Sequence, residues 1–159
     1  MKLNIGLSDQ DSKGVNDILN VLLADEYVLY TKTRNYHWNV VGPQFHDLHK
    51  FFESQYEELN EVVDEVAERV RALGGTALGS ITEFLKQTRL KEHPGQSAST
   101  LEMVKNLLTS HEAIIQSLRV DLKSCADKFH DMGTSDFLTG LMEQHEKMAW
   151  MLRALVTRD

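Results

Sequence analysis

From Leu48 to Leu73 the apolar residues Leu48, Phe52, Leu59, Val63, Val66, Val70 and Leu73 recur at intervals set by the helical turn. That spacing predicts one long amphipathic helix, opening after a Gly42-Pro43 turn and stopped by Gly74-Gly75. A stripe of this length must be covered, and helices of marginal intrinsic stability are covered by other helices. The same periodicity appears three more times. A first helix carries Val15, Leu19, Leu22, Leu29 and Tyr30 towards His37, with Asp11 or Ser12 as its cap. A third begins at a capping-box pair, Ser99 and Glu102, and runs through Val104, Leu108, Ile115, Leu118 and Leu122 to a stop near Gly133. A fourth starts at Thr134 or Ser135 and carries Leu138, Leu141, His145, Met148, Leu152 and Leu155.

Connection lengths then set the topology. Helices one and two, and helices three and four, are joined by short turns, so each pair is an antiparallel hairpin. Between the hairpins lie about 25 residues, Gly74 to Ala98, enough to return along the whole bundle. A second capping-box pair, Ser80 and Glu83, predicts a short extra helix inside this crossover. The expected fold is all-α: residues 1–11 a short tail, residues 12–159 a four-helix bundle with one long crossover. At 159 residues the chain is long enough to bury a core of its own. No run approaches a membrane span or a secretory signal, so a cytoplasmic location is expected. Cys125 has no partner cysteine and falls with Leu118, Leu122 and Phe129 on an apolar face, which reads as a buried, inert thiol.

The second helix carries a further pattern beside its apolar stripe. His49, Glu53, Asn60, Asp64 and Glu68 follow one position along, about 100° round the helix. Between Phe51 and Glu68 there are seven acids and no Lys or Arg, a self-repelling face unless cations compensate it. A solvated acidic surface is one reading; ligation of a first-row metal by imidazole and carboxylate is the other. Glu53 and Asp64 are about 16 Å apart along a straight helix, too far to share an ion within one chain. A second copy running antiparallel across a two-fold axis would set His49 and Glu53 of each chain against Asp64 and Glu68 of the other. His37 lies at the right distance before the turn to join the first pair. The indole N–H of Trp38 can reach a bound water or oxidant, with packing at a helix end as the alternative.

The run His37-Trp38-Asn39-Val40-Val41-Gly42, followed by Leu48-His49 and Glu53, is similar to one signature of the Dps family, the mini-ferritins. The run from Val63 to Arg69, then Leu73-Gly74, resembles that family's second signature. The resemblance extends over nearly the whole chain and implies the ferritin-like four-helix bundle with its long crossover. It also implies a ferroxidase centre of two Fe at a two-fold interface, with His37, His49 and Glu53 from one chain and Asp64 and Glu68 from the other. Position 53 is Asp in some relatives. Further implications are a hollow homo-oligomer of twelve subunits, Fe(II) and hydrogen peroxide as reactants, an Fe(III) mineral in the cavity, and protection against oxidative damage. Family members guide iron through acidic three-fold pores, for which Asp131 and Asp136 are the matching positions here, helix capping being their other reading.

Other features narrow the function. The chain has no Glu-x-x-His pair of the kind that builds di-iron sites inside ferritin-like bundles. His46 is turned away from His49 by the apolar phase and reads as a surface histidine; His111 and His145 fall on packing faces and read as hydrogen-bonded core residues. DNA binding, suggested by the family name, would need clustered Lys and Arg. The first eleven residues offer only Lys2 against Asp9 and Asp11, and Arg153 and Arg158 are followed by Asp159, with a net charge of −7. A nucleoid-compacting DNA-binding cage and a structural zinc-binding bundle without turnover are the alternatives to an iron-oxidising, iron-storing enzyme.

Overall fold

The computed structural model describes residues 3–95 and 98–157. Lys2, Arg158 and Asp159, weighed above for DNA contact, lie outside them. Four long helices form the bundle: α1 (Asp9–Asn39), α2 (Phe45–Ala72), α4 (Thr100–Lys123) and α5 (Met132–Val156). The short α3 (Ile81–Gln87) sits in the crossover, and a π-helical turn, Ser124–Lys128, extends α4. α1 packs along α2 and α4 along α5, with α1 also meeting α4.

The interior largely follows the predicted stripes on α1, α2 and α5, although Val63 is half-buried beside the buried Val62 and Leu155 is exposed. On α4 the buried Leu107 and Ile114 each stand one position before the predicted Leu108 and Ile115. Val15, Leu19, Leu22 and Leu29 of α1 meet Phe52, Leu59, Val66 and Val70 of α2, with Leu107, Ile114 and Leu118 of α4 and Leu138, Leu141, Met148 and Leu152 of α5 in the same cluster. Each fully buried side chain of this size contributes about 1.5–3 kcal/mol of transfer free energy. Both predicted capping boxes are present, at Ser80 with Glu83 and at Ser99 with Glu102. α2 ends as a Schellman motif: Gly74, at φ +77°, donates to Arg71 O and Gly75 to Val70 O.

Two helix starts differ from expectation. α1 begins at Asp9, inside the stretch read as a tail, because Ser8 is the cap and accepts from the Asp11 N–H. Ser12 is engaged elsewhere, its hydroxyl donating to Leu73 O at 2.6 Å. α5 begins at Met132 rather than Thr134 or Ser135; its cap is Asp131, which accepts from the Thr134 N–H. The connection before it is tighter than a loop. Phe129 N–H bonds Ser124 O, Asp131 N–H bonds Cys125 O, and His130 takes φ 54° to make the corner.

The crossover is fastened rather than draped. Phe84 of α3 stacks on Tyr27 of α1 at 4.4 Å. Farther on, the buried Asp25 carboxylate accepts from Thr88 Oγ1, Arg89 N and Arg89 Nε at 2.6–2.9 Å, and Arg89 Nη1 also reaches Asp121 of α4. Cys125 is fully buried, and burial first, then Asp131 and Asp121, pushes its thiol up to about 12. Among the described residues no helix is long and apolar enough to cross a membrane.

Candidate metal centre

The turn between α1 and α2 brings the last turn of one helix beside the first turns of the next, and with them His37 and His49. Their rings stack at 3.8 Å. His37 Nδ1 lies 2.8 Å from His49 O, and His49 Nδ1 lies 2.9 Å from His37 O. A carbonyl oxygen can only accept, so each Nδ1 carries the hydrogen and each neutral ring keeps its lone pair on Nε2. An outer-shell bond of this kind fixes the tautomer and the orientation that a metal-ligating histidine needs. Phe45 stacks on the far side of His49 at 5.1 Å, and Thr100 Oγ1 ties the turn to α4 through Val41 O.

Glu53 stands one turn beyond His49. Lys50 Nζ donates to it at 2.6 Å, and that bond, reinforced by the Lys50 charge, holds its carboxyl below the usual range. Lys50 therefore occupies a carboxylate oxygen that a cation would compete for. Asp64 and Glu68 lie on the exposed face of the same helix farther along. Among the described residues no three His, Cys, Asp or Glu side chains of one chain converge closely enough to hold an ion. His49 and Glu53 lie near the start of α2, close to His37 at the end of α1, and Asp64 and Glu68 lie farther along α2, Glu53 and Asp64 being about 16 Å apart along it.

Trp38 is exposed, and the Arg34 guanidinium lies over its ring at 5.2 Å. Of the two acids assigned to a pore, Asp136 is exposed near the start of α5. Asp131 is buried and already engaged: it caps α5, accepts from Thr134 Oγ1 at 2.5 Å and faces Arg69 Nη2 at 3.4 Å. Its carboxylate serves the helix start. His46 is exposed, whereas His111 and His145 are fully buried and bonded to each other.

Three residues beside these positions were passed over in the sequence. Glu26 sits wholly buried on α1, 2.9 Å from His145 Nε2. Its signal was its phase, since 22, 26 and 29 share one helix face. Arg34 and Tyr56 flank the half-site, Tyr56 meeting the His37 ring edge-on at 5.2 Å. Spacing along α1 and α2 places both near His37, but neither belongs to a ligand type that draws notice.

A bundle of two antiparallel hairpins joined by one full-length crossover is the ferritin-like architecture. The ferritin-like domain family matches residues 16–159. A DNA protection during starvation protein of Bacillus anthracis is 37% identical over 148 residues, covering 92% of this chain and 99% of that protein. A low temperature-induced protein of Nostoc sp., itself uncharacterized, is 52% identical over 155 residues, covering 98% of this chain and 87% of its own. The Dps protein of Vibrio cholerae, described as a member of a superfamily of ferritin-like diiron-carboxylate proteins, superposes with a TM-score of 0.91 at 34% identity. That superposition covers 99% of this chain and 98% of the other. DpsC of Streptomyces coelicolor superposes at 0.96 with 27% identity, over 100% and 92%. The chain belongs to the Dps family of mini-ferritins.

Proposed function

We propose that this protein oxidises Fe(II), with hydrogen peroxide as oxidant, at sites completed only between two copies, and stores the Fe(III) product inside a hollow shell of twelve. The observation that carries this reading is the reciprocal His37 and His49 pair. Two imidazoles locked through Nδ1 by each other's carbonyls keep their lone pairs on Nε2, with Glu53 one turn beyond His49 on α2. A two-fold partner supplies Asp64 and Glu68 across the interface, which resolves the 16 Å separation along α2.

The donor set suits the reaction. Neutral imidazole accepts Fe(II), while carboxylates favour the harder Fe(III). Two Fe(II) give up one electron each to one peroxide; its O–O bond breaks and two protons complete two waters, so no hydroxyl radical is released. Fe(III) then moves along the acidic faces of α2, which line the cavity. A net charge of −7 per chain, multiplied over the shell, draws cations inward. Glu53 exchanges its Lys50 partner for iron, so Lys50 sets a threshold against weakly bound cations. Iron is the substrate and the cargo of this cycle, and the shell protects the cell by consuming Fe(II) and peroxide together.

The test adds Fe(II) anaerobically to the purified protein, injects hydrogen peroxide, and follows Fe(III) absorbance. Rapid oxidation in the native protein and its loss in Asp64→Ala and His49→Ala are expected. Oxidation no faster than without protein would overturn the reading and leave a helical cage with a metal site of another purpose.

A further inference from the structure

Lys32 of α1 is a buried cation without a counter-ion. It is 7% exposed, and its Nζ donates to Lys91 O of the crossover at 2.7 Å and to Ser110 Oγ of α4 at 3.0 Å. The Ser110 hydroxyl gives its own hydrogen to Asn106 O, so both partners of the ammonium are neutral acceptors. Among the described residues no Asp or Glu pairs with Lys32. Lysine is almost never this buried unless it is paired, because a charge taken out of water without a counter-charge is costly. Nearby acids do not fill the gap. Asp25 and Asp121 are spent on Arg89, and Glu92 borders a neighbouring, smaller depression. Burial lowers the pKa of Lys32 from the ordinary lysine value, and the Glu92 charge offsets this only from beyond ion-pairing reach.

Lys32 lines a cleft of about 360 Å³ between α1, α4 and the crossover. The walls also carry Arg89, Lys91, His93, Thr109 and Ser110, and among the described residues no carboxylate. The side chains of Lys91, His93 and Thr109 make no hydrogen bond or ion pair among the described residues. Arg89 uses Nε and Nη1 on its two carboxylates and leaves Nη2 to spare. In a chain of net charge −7, this is a concave surface of donors around an unbalanced positive charge. We propose that the cleft binds a free tetrahedral oxyanion of the phosphate class, which serves as the counter-ion of Lys32.

The donors decide the class of anion. They come from three directions, with an ammonium from α1, basic groups from the crossover and a hydroxyl from α4, and a phosphate has oxygens enough to accept from all three at once. Lysine binds phosphate as a point charge, which suits a recessed ammonium. The same recess separates a free anion from the phosphodiesters of nucleic acid. A duplex keeps its phosphates on a broad surface and cannot carry one down to a side chain this deeply buried. Occupancy would reinforce the link that Lys32 already makes between α1, α4 and the crossover, so the anion acts as a clamp on that segment. The site does not depend on the iron chemistry above.

The experiment is isothermal titration calorimetry of sodium phosphate into the full-length assembled protein, stripped of iron by chelation, at an ionic strength held constant with sodium chloride. Saturable binding of one phosphate per chain is expected, weakened about tenfold or more in Lys32→Met, which keeps the length of the side chain and removes its charge. Lys91→Ala, which breaks no bond within the fold, should weaken binding severalfold, and it carries the test if Lys32→Met does not assemble. His49→Ala should bind phosphate as the native protein does, and slower amide exchange across residues 88–93 should accompany binding. No saturable binding, or affinity unchanged in Lys91→Ala and in any Lys32→Met that assembles, overturns the proposal. Competition by a short DNA duplex at equal phosphate concentration also overturns it, by assigning the cleft to nucleic acid.

Discussion

His111 and His145 meet through their Nδ1 atoms at 2.9 Å in the middle of the bundle, with neither side chain exposed. His145 Nε2 lies 2.9 Å from Glu26 Oε1, so the pair continues into a buried carboxylate. With His145 Nε2–H donating to Glu26, its Nδ1 is left as an acceptor and His111 Nδ1–H donates to it. The chain then ends on His111 Nε2 and Glu26 Oε2, neither of which has a hydrogen-bond partner. Three helices, α1, α4 and α5, are tied by groups that a purely apolar core would not contain.

This arrangement makes the fold sensitive to acid. Burial, and then the neighbouring His145, hold His111 well below the ordinary histidine value, so the folded chain keeps it neutral. An unfolded chain binds that proton below about pH 6.5. Stability from this group is therefore fully present above that value and is lost as pH falls below it, by up to about 1.4 kcal/mol per pH unit. Thermal unfolding at pH 8 and pH 5 should show the loss, and His111→Leu should flatten the profile in that window. An unchanged slope would remove His111 as its source.

Removing the middle of the chain is costlier than removing its end. His145→Leu leaves Glu26 Oε1 and His111 Nδ1 buried without a partner and should cost about 1–3 kcal/mol per stranded group in denaturant unfolding. Adding Glu26→Met to the same variant should recover part of that loss, because the carboxyl group is then no longer stranded. Equal stability of the single and double variants would contradict the account.

Gly14 is a packing glycine. A Cβ there would lie 2.1 Å from Phe129 Cε1, and the ring belongs to the corner that follows the π-helical turn. Gly14→Ala gains helix propensity but must displace that ring, so a net loss of about 1–3 kcal/mol is expected by urea titration. Adding Phe129→Leu should relieve part of it.

The crossover should loosen when Arg89 is truncated. Asp25 is 1% exposed and takes two of its hydrogen bonds from Arg89, one from the backbone and one from the guanidinium. Arg89→Ala keeps the backbone bond and loses the charged one, at a cost of about 1.5–3 kcal/mol. Faster amide exchange through residues 76–90, with α2 and α5 unchanged, is the expected signature.

Local chemistry was legible in this sequence and long-range pairing was not. The capping boxes at Ser80 and Ser99 could be read because both partners lie within one turn. His37 and His49 could be paired because a short turn joins their helices. Asp131 looked like a pore acid as readily as a cap, since its contacts with Arg69 depend on how α2 and α5 pack. Ser12 read as a cap because the demand of Leu73 O on its hydroxyl comes from 61 residues away. The phase of Glu26 with Leu22 and Leu29 marks it as inward-facing, but its partner His145, 119 residues distant, could not be read from the sequence.

The central claim, that each site takes His37, His49 and Glu53 from one chain and Asp64 and Glu68 from its mate, is tested most directly by mixing two inactive variants. His49→Ala and Asp64→Ala chains are unfolded together in equal amounts, co-assembled, and assayed for peroxide-dependent Fe(II) oxidation. In a mixed two-fold pair one site keeps every ligand and the other loses both, so random pairing restores about one quarter of the native activity from two preparations that have none. Activity near zero in the mixture, when each variant alone assembles normally, would contradict a site shared between chains.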